Sequence, residues 1–95
     1  MNNLIIRTKE KELILDIPGT YYELIDSINK PNSIQDLTNK YNQVDKLNDN
    51  ALETCVVELV DNTISLTVFN KVNWTGDYML DWKRNYHMVW NLKKN

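Results

Sequence analysis

Two glycines, two prolines, one cysteine and one histidine are all that 95 residues contain of these types, and each shortage closes off a class of chemistry. Gly19 and Gly76 stand too far apart to build a Gly-rich loop that cradles a phosphate. Cys55 is alone, so no intrachain disulfide can form, and with His87 it falls short of a zinc ligand set; neither metal nor cofactor is expected. Ser27, Ser33 and Ser65 lack the context of a nucleophile elbow and share a single histidine as base. Carboxylates are plentiful but fall on faces that read as solvated. No catalytic residue is expected, and the chain reads as a non-enzyme. Long apolar runs are missing too, and the opening MNNLIIRTKEK lacks the apolar core of a signal peptide. A cytoplasmic protein with no membrane partner is the expectation.

What is present is unevenly distributed. Residues 1–70 hold six Lys/Arg and eleven Asp/Glu, whereas 71–95 hold five and two, so an acidic unit (1–70) is followed by a basic segment (71–95). The stretch 47–63, LNDNALETCVVELVDNT, has no Gly or Pro. Its Leu52, Cys55, Val56 and Leu59 recur at i, i+3, i+4 and i+7, the spacing of an amphipathic helix. Asp49, Glu53, Glu58 and Asp61 decorate it, and Val57 falls outside the stripe. Cys55 on that stripe reads as a buried structural thiol.

The segments 3–8 and Glu12–Ile17, separated by Lys9, Glu10 and Lys11, read as an antiparallel hairpin. Pro18 and Gly19 break it. Tyr21, Leu24, Ile25 and Ile28 predict a helix over 20–29, capped by Thr20; Ser33 and Asp36 open a second over 33–42 through Ile34, Leu37 and Tyr41. The third helix spans 47–62, and ISLTVF at 64–69 reads as a strand. Asparagine is abundant throughout, which reads as base composition of the source genome rather than chemistry. The order is that of an α+β winged helix-turn-helix domain: an N-terminal β-hairpin, three helices and a C-terminal strand. An aromatic tail follows. Its Trp74, Tyr78, Trp82, Tyr86 and Trp90 are four apart, giving a slanted stripe on a helix that docks in cis or on a partner. A β-ribbon stays open for this segment.

ILDIPGTYYELIDSINKPNSIQDLTNKYN, followed by LETCVVELVDNTISL, resembles the PqqD-like family, or RiPP recognition elements. The matching positions are Ile14, Leu15 and Asp16, then Gly19, Tyr21 and Tyr22, then Leu24, Ile25 and Asp26. Ser33, Ile34 and Leu37 follow, and then the stretch from Leu52 to Leu66. The family's further strand between the Gly-aromatic pair and the first helix is missing here. The resemblance implies a leader-peptide-binding adaptor for natural-product biosynthesis, with a precursor (leader) peptide and a separate peptide-modifying enzyme as partners. The leader would add as a strand along Leu13, Ile14 and Leu15, beside a groove walled by Thr54, Val57, Val60 and Asp61.

Two other classes stay on the page. A winged-helix nucleic-acid-binding regulator needs Lys and Arg on its recognition helix, but 47–62 carries only acids, so no nucleic-acid partner is expected. A structural subunit of a larger complex is the other, and a homodimer also remains open.

Overall fold

The computed structural model describes residues 1–19, 24, 27–28, 30, 32–71 and 82–91. The expected hairpin is there: β1 (Asn2–Arg7) and β2 (Glu12–Ile17) pair antiparallel from Asn2↔Ile17 to Arg7↔Glu12. Thr8 closes its turn. The Thr8 amide donates to the Lys11 carbonyl at 2.8 Å, and the Thr8 hydroxyl oxygen accepts from the Glu10 and Lys11 amides. Strand alternation sends Leu4, Ile6, Leu13, Leu15 and Ile17 to one face of the sheet.

Helical residues cover that face. Leu24, Ser27 and Ile28 are helical, with Leu24 and Ile28 buried in the core; the remainder of the helix expected over 20–29, including Tyr21 and Ile25, lies outside the described residues. Helix α1 (Ser33–Lys40) realises the second expected helix, burying Leu37 and packing Ile34 on the same core. It stops short of 42. Tyr41 turns extended, and Asn42–Gln43 become β3, paired with β2 at Leu15↔Gln43 and Asp16↔Asn42.

The helix expected over 47–62 does not exist, and with it the winged helix-turn-helix is overturned. The stretch is a turn followed by β4 (Glu53–Val60), which continues into β5 (Thr63–Lys71). With β6 (Trp82–Asn91) these complete a six-stranded mixed sheet of order β3-β2-β1-β4-β5-β6, in which β1 and β4 are parallel and every other neighbour antiparallel. The aromatic tail, where described, is thus strand, the ribbon that its sequence left open. Burial reverses the helical reading residue by residue. Leu52, read as core, is 74% exposed, while the stray Val57 is 1% exposed. The true period is two: Cys55, Val57 and Leu59 face the core, and Thr54, Val56, Glu58 and Val60 face the other side. Flanked by β1 and β5, β4 is apolar on both faces at its centre, so alternation is masked. Its β-branched residues, Thr54, Val56, Val57 and Val60, suit a pleated surface. Asp61 and Asn62 form a two-residue hairpin loop between paired Val60 and Thr63, with Asp61 at φ 54.

One length of chain has to cross the sheet. From β3 at one edge, residues 44–52 travel past β2 and β1 to enter β4, and asparagines fasten them. Asn3, 1% exposed, donates from Nδ2 to the Asn48 carbonyl at 3.2 Å and to Thr54 Oγ1 at 3.1 Å. Its Oδ1 accepts the Asn48 amide at 2.8 Å. Asn2 Oδ1 accepts the Leu52 and Glu53 amides at 3.1 and 3.0 Å, and Asn48 Nδ2 donates to the Met1 carbonyl. These asparagines do structural work, against the reading of asparagine as compositional background.

The reading of Cys55 as a structural thiol agrees with its place, buried between Leu4 and Val68, where burial pushes its pKa from about 9.0 to about 12. Between those values the unfolded chain releases a proton that the native chain keeps, so this site contributes a fall in stability as pH rises, by about 1.4 kcal/mol per unit. Denaturant melts of wild type and Cys55→Ala across pH 8.5–11 check this: the stability gap between them should narrow as pH rises. Native protein should also resist a thiol-alkylating reagent until it is unfolded.

Candidate functional site

The sheet has one face covered by helical residues, a second face that is open beyond the buried Asn3, Ile5, Thr54 and Val56, and two edges, and these differ in what they offer. The edge expected to receive a leader strand is occupied by the chain itself. β3 lies against β2, and the Val44 amide donates to the Ile14 carbonyl at 3.0 Å. Leu15 is fully buried and Leu13 packs against the core, so both serve the interior. The expected groove wall is scattered. Val57 lies in the core, Thr54 is buried on the opposite face against Asn3, and Val60 is half exposed there. Asp61 sits in the β4–β5 turn, ion-paired to Lys9 at 2.7 Å. Among the described residues these four line no common groove.

The open face carries a notch of about 290 Å³ lined by Arg7, Leu47, Thr54, Val56 and Phe69. Its one cation is engaged: Arg7 Nε donates to Glu12 Oε2 at 2.5 Å, a hydrogen bond that raises the arginine pKa. Further along this face, His87 Nδ1 lies 2.8 Å from Thr67 Oγ1. Both belong to strands, and among the described residues the pair is exposed.

The opposite edge is different. β6 runs ten residues along β5, from Lys71↔Trp82 to Thr63↔Asn91, with a register shift between Val68 and Phe69. No described residue pairs with its outer side. Tyr86 and Trp90 pack toward the core, and the Tyr86 hydroxyl donates to Met88 Sδ at 3.3 Å. Arg84, His87, Val89 and Asn91 are exposed, Val89 by 55%. Of the five aromatics expected to dock, Tyr86, Trp90 and Trp82 belong to this strand, and Trp74 and Tyr78 lie outside the described residues.

The sequence reading counted 71–95 as a basic segment but placed its charges on a helix rather than on this strand. From 82 to 95 there are four Lys/Arg (Lys83, Arg84, Lys93 and Lys94) and no acid. That signal was legible as a charge run, but only a strand assignment gives it an edge to act on.

No described helix is long and apolar enough to cross a membrane. No protein-family model, curated protein or solved structure matches the chain, so nothing identifies a PqqD-like relative, and the strand-rich sheet is not the winged helix that resemblance implied.

Proposed function

We propose that this chain is a non-catalytic binding module that accepts an extended segment of another protein as a further strand along β6. The observation that carries this reading is the ten-residue outer strand with no described residue on its outer edge. Such an edge presents alternate N–H and C=O groups that need partners, and strand addition satisfies them while alternate side chains confer selectivity. The contrast with the other edge supports it, because there β3 and Val44 occupy β2. A non-catalytic role fits the reactive groups described. The thiol is buried with its pKa pushed up to about 12, and His87 stands exposed beside Thr67.

Selection from a displayed library of twelve-residue peptides, followed by amide chemical-shift mapping, tests the reading. Selected peptides should shift the amides of 82–91 and slow their hydrogen exchange, since a paired strand protects its donors. Binders that map to the open face or to α1, leaving 82–91 unchanged, would overturn it.

A further inference from the structure

An edge that admits a foreign strand also has to be covered when none is bound. Long unpaired edges pair with other chains, and proteins blunt them with charge, proline or a bulge. From Tyr86 to Asn91 the sequence YHMVWN holds no Pro, Asp, Glu, Lys or Arg. The exposed Arg84 and the register shift between Val68 and Phe69 guard only the start of the strand. On the core side Tyr86, Met88 and Trp90 are half-buried, and on the other side Val89 is exposed.

Copies of one chain can cover such an edge in two ways. Head-to-tail stacking needs the far edge of the next molecule, and that edge is β3, two residues long, too short to match β6. Isologous pairing needs only β6 itself, run antiparallel about a two-fold axis, and it closes after two copies. An axis at Met88 gives a self-complementary register. Met88 then meets Met88 of the second copy, and Tyr86 meets Trp90 in both directions, so one apolar row continues from core to core. His87 meets Val89 on the other face. Cross-strand pairs of aromatic and apolar side chains are favourable, whereas like charges set opposite one another are not. In this register the two Arg84 fall at opposite ends of the paired stretch, roughly 25 Å apart, and do not oppose.

Resting on the strand-addition reading, we infer that a second copy of this chain holds the β6 edge of the free protein, in an antiparallel pair centred on Met88, and that a partner strand enters as this dimer opens. Capture is thereby regulated by mass action: a dilute chain offers its edge, and a concentrated one withholds it.

Single cysteines in the full chain test the register. Directly opposed positions of an antiparallel pair lie about 4.5–5.5 Å apart at Cα, within reach of a disulfide, so Met88→Cys should cross-link two copies under mild oxidation. Arg84→Cys holds its thiols far out of reach and should cross-link slower by about tenfold or more. Wild type should give no cross-link, because Cys55 is buried. It should sediment as a concentration-dependent mixture of monomer and dimer. The twelve-residue peptides selected from the library should shift that mixture to monomer and slow Met88→Cys cross-linking by about tenfold at saturation. A wild type that stays monomeric, while those peptides still perturb the amides of 82–91, would overturn the dimer and leave strand addition standing. Equal cross-linking by the two cysteine variants would overturn the pairing centred on Met88. A dimer joined through Met88 that no peptide opens, with 82–91 unperturbed, would overturn the strand-addition reading and its regulation together.

Discussion

Val57→Glu is expected to abolish folding at room temperature. Val57 sits at the centre of β4, 1% exposed, with Ile6 on one side and Leu66 on the other, inside the cluster that also holds Leu4, Leu15 and Leu37. A carboxylate there has no described cation on the core face to pair with, and burying it unpaired or protonating it costs several kcal/mol. Domains of this size have roughly 5–15 kcal/mol to lose in total, and small ones sit at the low end. Circular dichroism and one-dimensional NMR should therefore show an unfolded or collapsed chain. The companion variant Leu52→Ser sharpens the test, because Leu52 is 74% exposed and its loss should change stability by less than about 0.5 kcal/mol. A helix over 47–62 would give the opposite ranking, a costly Leu52 and a tolerant Val57. The two melts thus decide between strand and helix without a structure.

Asn3→Ala is the second large effect, expected to cost roughly 2–4 kcal/mol. The deleted amide group makes three hydrogen bonds, two of them to the crossing segment at Asn48 and one to Thr54 on the neighbouring strand. Alanine leaves the Asn48 amide and carbonyl without these partners and opens a gap beside Thr54. The loss should be local before it is global. Hydrogen exchange of 44–52 should quicken more than that of β1 or β5, since this connection is held mostly by side-chain bonds rather than by a ladder. Asn3→Asp should cost at least as much as alanine: it keeps the acceptor for the Asn48 amide but sets a buried carboxylate oxygen against the Asn48 carbonyl where the donor stood. Urea melts on the three proteins, compared at constant m-value, provide the measurement.

How much of this was legible from the residues differs from element to element. Local features were. Alternating aliphatics on both sides of Lys9, Glu10 and Lys11 specify the β1–β2 hairpin, because two short strands joined by a polar turn pair with what is nearest. The spacing of Ile34 and Leu37 specifies α1, and Ile64, Leu66 and Val68 specify β5 by simple alternation, one face buried and one half exposed. A buried Cys55 also followed from the apolar residues around it, although the helix imagined beneath it did not exist. The segment 47–62 could not be settled that way. Leu52, Cys55, Val56 and Leu59 satisfy a helical period, while Cys55, Val57 and Leu59 satisfy a strand period, and local propensity does not separate them. What decided was the parallel pairing of β1 with β4, from Asn3↔Thr54 to Arg7↔Glu58, which joins residues about fifty apart in the chain. A strand flanked on both sides has both edges paired, and that pairing, with Thr54, Cys55, Val56 and Val57 buried, outweighs a four-residue coincidence of spacing. The candidate site has the same history. Composition alone gave the basic segment after residue 70; only the sheet order, with β3 at one edge and β6 outermost among the described strands at the other, shows that Lys83 and Arg84 of that segment belong to an edge strand.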